Sequence, residues 1–390
     1  MERISSFFAL FFVVWLVLDL WITLEVQYTE TQVKTTIEKN HKTWYNRDMK
    51  ARMRSFFDEE NRMTKISKIG DPLEVLNAII KWEMFRDILK KNIVRKENNK
   101  GGRPPFDMVM MFKILVLERL YNLSDDQAEF QINDRRSFMR FLGLESYDTV
   151  PDAKTIWKFR DDLSKTDAIE ECFHLFNEML AEEGLITHSG TIIDATFVDT
   201  PRQRNTREEN KKIKNGEVPE DWEKPENAAK RAQKDTDARW AKKNGETHFG
   251  YKDHVKCDAD SKLITSYGAS AASLHDSQIC TELLDDDDEV IYADSAYSSA
   301  EIAENLPENC KNEICEKGYR GNPLTEEQKK ENNRKSKIRC RIEHIFGFMT
   351  NSMKGITLRC IGFKRAWTQI GLLNLVYNMC RYKILKQACA

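Results

Sequence analysis

The chain has no nucleophile elbow, no phosphate-cradling glycine loop and no dinucleotide fingerprint, so three common enzyme classes are without support. It has no CxxC pair either. Its nine cysteines (172, 257, 280, 310, 315, 340, 360, 380 and 389) are odd in number and scattered, which argues for reduced thiols rather than a disulfide framework. Cys310 and Cys315 have half of a zinc-site spacing, but no second half follows. Net charge is also small: 61 Lys and Arg against 63 Asp and Glu leave −2, and whole-chain charge names no partner. No internal repeat is present.

What is there begins with size. A chain of 390 residues that is 41% apolar can bury a sizeable core, and its length is that of two or three domains. Charge is patterned locally. From Lys329 to Lys386 there are fourteen Lys or Arg against two acids, Glu331 and Glu343, which makes either a phosphate-attracting face or a solvated basic helix. Residues 7–26, "FFALFFVVWLVLDLWITLEV", are long enough to cross a bilayer, although Asp19 inside them costs roughly 2.5–3.5 kcal/mol on insertion scales. One basic residue precedes this run and no small-residue cleavage site follows, which is unlike a signal peptide. "MTKISKIGDPLEV" at Met63 reads like a protein start. Residues 1–62 are therefore expected to be upstream sequence read in frame, with a membrane anchor as the alternative.

From Asp71 to Leu89 apolar residues recur at helical spacing, and "ENNKGGRPPFD" then breaks the pattern. Further helices are expected from about Phe106 to Tyr121, after the Ser124 cap to about Ile132, over "DRRSFMRFLGL" up to Gly143, and after Pro151 and Asp152. Arg135, Arg136, Arg140, Lys154, Lys158 and Arg160 lie on these short helices. Residues 63–165 fit a helix-turn-helix-like DNA-binding domain or, equally, a helical bundle with basic surfaces. The period then changes. "THSGTIIDATFVDT" reads as a strand, and residues 201–247, with thirteen Lys or Arg and ten acids, as an insertion or mobile loop. Two antiparallel strands, a helix, the strand "EVIYADSAY", one long basic helix entered through Thr325 and a closing helix from about Trp367 follow. Residues 186–390 thus describe an α/β domain, a mixed sheet flanked by helices.

Asp194 is embedded in the first strand and Asp294 ends another. A carboxylate in a strand core is costly to desolvate unless it is paired or meets a cation. Glu343 in "RCRIEHIFGF" stands at the edge of a stripe made by Ile342, Ile345, Phe346 and Met349. Brought together, the three acids would hold hard divalent cations through oxygen, and two such ions about 3.5–4 Å apart clamp an in-line phosphoryl displacement. Each acid is equally well explained as a cap or as a salt bridge to Arg339 or Arg341. The run "DDDDE" at 285–289 reads as a solvated turn. His248 and His254 share one face of a strand, where a surface place is expected.

The segments "GGRPPFDMVMMFKILVLERLYNLSDDQAEFQINDRRSFMRFLGL", "IDATFVDTPRQRNTREENKKIKNGEVPEDW", "HFGYKDHVK", "YADSAY", "EKGYRGNPLT" and "RCRIEHIFGFM" resemble the bacterial insertion-sequence DDE transposases of the IS-five group, from about Met63 to the C-terminus. The resemblance implies an RNase H-like catalytic domain carrying the charged insertion, behind a helical DNA-binding domain. Asp194, Asp294 and Glu343 match the family's catalytic, metal-holding acids, and Arg339 its signature arginine. The signature also expects a tyrosine and a lysine where this chain has Ser336 and Thr350, with Lys354 one turn further on. Two Mg²⁺ ions, replaceable by Mn²⁺, are implied as cofactors, with no small-molecule cofactor. The implied partner is DNA, as inverted repeats and target, bound by a dimer or larger assembly in the bacterial nucleoid and cytoplasm, with no membrane. Candidate DNA contacts are Arg339, Arg341, Lys337, Lys354, Arg202, Arg204, His248, Lys252, Arg135, Arg136, Lys158 and Arg160. A transposase-derived repressor without catalysis is the alternative.

Overall fold

The computed structural model describes residues 57–93, 104–187, 190–243 and 245–389. The apolar run at 7–26 lies outside the described residues, within which no helix is long and apolar enough to cross a membrane. The chain divides into two compact units, 1–65 and 66–390. In the first, the described residues 57–65 begin helix α1 (Asp58–Ile69), which buries none of its residues. The rest concerns the second unit.

Helical starts and stops obey local capping chemistry. Asp71 accepts from Leu73 N at the head of α2 (Pro72–Ile79), and a 3₁₀ turn (Trp82–Phe85) leads into α3 (Arg86–Asn92). The single helical pattern read from 71 to 89 is therefore broken, because Ile80 turns extended and lets both Ile80 and Trp82 enter the core. Helix α4 (Met108–Tyr121), capped by Asp107, is apolar nearly all round and correspondingly central. Ser124 and Gln127 form a capping box on α5 (Asp125–Asp134). Gly143, at φ 73°, ends α6 (Arg136–Leu142), and Asp152 caps α7 (Ala153–Leu163). Helix α8 (Ala168–Glu182) escaped the sequence reading, although Ile169, Cys172, Phe173, Phe176 and Leu180 are spaced as a buried helical face.

The sheet starts with β1 (Thr191–Asp199). The charged tract that follows is folded, which corrects its reading as a mobile loop. It contains α9 (Arg207–Lys214), α10 (Glu220–Glu223), α11 (Ala228–Ala232) and strand β2 (Arg239–Lys243). One residue explains this: Trp222, 1% exposed, donates from Nε1 to Glu209 at 2.7 Å and lies under the ammonium groups of Lys230 and Lys234, so a single indole serves as a small core.

Then come β3 (Glu246–Asp258), β4 (Ile264–Ala271), α12 (Ser277–Cys280), β5 (Val290–Tyr292), α13 (Ala300–Glu304) and β6 (Lys311–Asn312). The expected long basic helix is two helices, α14 (Glu326–Arg339) and α15 (Arg341–Asn351), separated at Cys340. Helix α16 (Phe363–Cys389) closes the chain.

The sheet order is β2–β3–β1–β5–β6, with β4 also on β3. Strand β3 pairs antiparallel with β1 along one edge and with β2 and β4 along the other; β5 runs parallel to β1 and β6 parallel to β5. This mixed sheet with flanking helices fits an RNase H-like expectation. Alternation along β1 sends Ile192 and Val198 into the large core with the helices and Ile193 into a smaller one with Leu283, Ile291, Tyr297 and Ile302. On α16, Asn378 is fully buried, donates to Asn177 of α8 at 2.9 Å and accepts from Ile264 N at 2.8 Å, tying helical region, sheet and C-terminal helix into one interior.

The acidic run is not wholly a solvated turn. Asp288 is 2% exposed and takes hydrogen bonds from Thr191 Oγ1 at 2.7 Å and Lys256 Nζ at 2.7 Å, which compensate its desolvation.

Candidate active site

The strand β5 is paired with β1 only as far as Tyr292 opposite Ile192. Asp194 and Asp294 each stand two residues beyond that last pair, so parallel register carries Asp194, in the middle of β1, and Asp294, just past the end of β5, to the same level of two neighbouring strands. At that point the chain leaves the sheet: Asp294 caps the 3₁₀ turn Ser295–Tyr297 and accepts from Ser295 N at 2.6 Å. Glu343 arrives from another element. It sits in the first turn of α15, whose face Ile342, Ile345 and Met349 is completely buried, and its own side chain is 60% exposed.

Arg339, the last residue of α14, connects these pieces. Its Nη1 donates to Asp194 Oδ2 at 3.2 Å and its Nη2 to Glu343 Oε1 at 3.4 Å. Asp194 also accepts from Ala195 N at 2.8 Å. Desolvation nonetheless holds the Asp194 carboxyl above the usual aspartate range; the Ala195 N–H and the charges of Arg339 and Lys243 oppose that, and the charge of Asp294 adds to it. Asp194 is thus a desolvated acid with a deficit of positive charge.

Oxygen donors from two aspartates and a glutamate suit a hard cation such as Mg²⁺, and the deficit at Asp194 is one that such a cation would fill. Among the described residues, however, no three His, Cys, Asp or Glu side chains are grouped to hold an ion together. The cation between Asp194 and Glu343 is the Arg339 guanidinium.

The candidate DNA contacts divide by how far the fold already satisfies them. Lys252 is buried and donates to Asp276 Oδ1 at 2.7 Å and Leu274 O at 2.6 Å. Arg160 is held by Glu118 and Asp125, Lys158 by Asp162, and Arg341 by Asp260 and Ala259 O. Lys337, Arg202 and Arg204 are exposed; Arg202 donates to Thr247 O at 2.8 Å. Arg135 is exposed over the Phe138 ring, and Arg136 is half-buried. His248 stacks on Phe197, with ring centroids 4.2 Å apart, and faces Asp199 at 3.2 Å. His254 is buried against Ser270 at 2.7 Å, not on the surface, and burial pulls its pKa down to about 4. Lys354 lies past the end of α15 at φ 61°, over the Tyr121 ring, and so is not a further turn of the Glu343 helix.

Lys243 escaped the sequence reading. It is exposed at the end of β2, over the Phe197 ring and close enough to bear on Asp194. The alternation in "ARWAKK" was the available signal, hidden by the charge of the tract around it.

Two segments of the chain match known protein families. Residues 186–379 match the family described as transposase DDE domain, and residues 60–162 the family described as transposase domain (DUF772). Among solved structures the chain is similar to a piggyBac transposase in a synaptic complex with hairpin DNA, determined by cryo-EM. Identity is 12% over 81% of this chain and 74% of that one, with a TM-score of 0.38, a likeness too slight to carry an argument. By its two matched segments, which together span more than half of its length, the chain belongs to the DDE transposases.

Proposed function

We propose that this transposase binds the terminal inverted repeats of its own insertion sequence, an element of the IS-five group. It cleaves phosphodiester bonds at the ends and joins the freed 3′-hydroxyls to target DNA. One observation carries the catalytic part. Asp194 and Glu343, far apart in sequence, meet on the same guanidinium, and Asp294 reaches the level of Asp194 on the neighbouring strand through register. Asp194, Asp294 and Glu343 are the oxygens that would hold two divalent ions, Mg²⁺ or Mn²⁺. When bound, such ions supply activated water and stabilise the attacking and leaving oxygens of an in-line displacement. Arg339 is placed to hold a phosphate oxygen once it is released from the carboxylates, its planar fork matching that group. The helices between Met63 and Lys165 and the exposed basic residues Lys337, Arg202 and Arg204 supply sequence-independent attraction to the backbone. Two ends must be held together for joining, so a dimer or larger assembly on DNA follows from the proposal.

The test is incubation of the full chain with DNA carrying both borders of the element, in Mg²⁺, in Mn²⁺ and in chelator. Cutting that needs the divalent ion and disappears in Asp194→Asn supports the proposal. A second reading, a DNA-binding repressor descended from a transposase, draws on the guanidinium between Asp194 and Glu343 and on the absence, among the described residues, of a three-acid grouping. Tight border binding with no cutting in either ion would select it.

A further inference from the structure

Helix α15 lies along β1. Its first residue, Arg341, donates to Ala259 O at 2.8 Å beside the start of that strand, and beyond its end Leu358 N donates to Asp199 O at 2.9 Å. Ile342, Ile345 and Met349 are its buried stripe. At 3.6 residues per turn Glu343 falls on one flank of that stripe, and Arg341 and His344 fall on the other. Between the flanks the crest carries Gly347, where a Cβ would meet nothing within 4 Å.

The flank away from Glu343 meets the turn between β3 and β4. Lys262 Nζ donates to His344 Nδ1 at 2.7 Å. An ammonium can only donate, so Nδ1 is the acceptor, and the N–H of this exposed imidazole stands on Nε2, across the ring from Lys262. The turn is gripped from α16: Arg381 Nε donates to Ser261 O at 2.6 Å, and Tyr377 Oη to Lys262 O at 2.9 Å. That grip holds Lys262 at φ 59°, a left-handed conformation that a lysine seldom takes. Among the described residues neither Lys262 nor Arg381 has a carboxylate partner, whereas Arg341 beside them has Asp260. Burial, and then the charges of Arg381 and Arg341, hold the Lys262 pKa below the ordinary lysine value, as befits cations crowded together.

Two cations without carboxylates and an outward imidazole N–H, fixed by a strained turn, make a donor set for an oxyanion. The set stands one helix width, about 10 Å, from the Glu343 flank, and a DNA strand advances about 3.4 Å per phosphate, so about three nucleotides bridge the two.

We propose that Lys262, His344 and Arg381 form a phosphate site for DNA lying across α15, holding a backbone phosphate about three nucleotides from the bond placed at Glu343. This rests on the transposase reading of the neighbouring acids.

Affinity of the full chain for fluorescein-labelled border duplexes, measured in chelator across a salt series, tests the site apart from chemistry. Lys262→Asn removes the charge and places a residue type that tolerates positive φ. It is expected to weaken binding about 3- to 10-fold and to lower the slope of log affinity against log salt by roughly 0.9, one phosphate contact. Lys262→Arg should restore both. Neutral methylphosphonates placed singly along the duplex locate the contact: one position, about three nucleotides from the border end, should weaken the parent and leave Lys262→Asn indifferent. Unchanged affinity and slope in Lys262→Asn, with melting as in the parent, overturns the site, as does equal sensitivity of parent and variant at every methylphosphonate position. A parent that binds no border DNA removes the transposase reading itself. With a parent that binds without cutting in Mg²⁺ or Mn²⁺, the enzymatic reading fails and the salt slope still decides the phosphate site.

Discussion

Arg339 donates to Asp194 across 145 residues of chain and to Glu343 one helical turn ahead, so one guanidinium ties the middle of β1 to the start of α15. Arg339→Ala removes both contacts and is expected to lower border cleavage about 100-fold while leaving the circular dichroism spectrum unchanged. Arg339→Lys keeps the charge but not the planar fork and should fall between the two. Nicking of supercoiled plasmid carrying the borders measures this; an Arg339→Ala enzyme as fast as the parent would remove the residue from the site.

The three acids make separable demands. Asp194→Asn can still accept from Ala195 N but loses its negative charge, and the same neutralisation is made by Asp294→Asn and Glu343→Gln. Each change should reduce cutting by about 1,000-fold or more, with border affinity in chelator within a few-fold of the parent. Near-normal cutting by any one variant excludes that residue from the set that works on phosphate.

Away from the site, Asp253 of β3 is completely buried, accepts from Asn374 Nδ2 at 3.0 Å, and has its Oδ2 unpartnered, as is Asn374 Oδ1. Desolvation pushes its pKa up from 3.8 to about 7, with the Asn374 hydrogen bond opposing. The folded state then keeps a proton that the unfolded chain gives up, so this contribution to stability is full below about pH 4 and is lost as pH rises toward 7. Asp253→Asn, permanently neutral, should flatten that part of the curve of thermal midpoint against pH. An identical slope in parent and variant would contradict the assignment.

Trp222 is the core of the charged tract, and Trp222→Ala should open it. The expected cost is about 3–5 kcal/mol, the range for a fully buried large aromatic, confined to residues 201–243. Hydrogen exchange should show faster exchange in α9 to α11 with protection in α4, α8 and α16 unchanged. Uniform loss of protection across the unit would show that the tract does not open by itself.

Much of the helical punctuation was legible because caps are local. Ser124, Asp152, Gly143 and Thr325 act within three or four residues of where they stand, and each lies at its expected terminus. Misreadings arose where a long-range contact overrode local pattern. The charged tract looked incapable of a core because one well-placed indole among polar residues barely changes composition. Asp288 looked solvated because its partner Lys256 comes from another strand. His254 looked like a surface residue because alternation says which face a side chain takes but not what covers that face.

From sequence alone came the domain chemistry: two short carboxylate-bearing strands, a glutamate on the edge of an apolar helix stripe, and the motif set that places the chain among DDE transposases. Those depend on neighbours a few residues apart, which a linear chain displays. The tertiary structure alone decided that parallel register sets Asp194 level with Asp294, and that Arg339 stands between Asp194 and Glu343. These are matters of register and close approach between distant segments, settled only when packing brings them into contact.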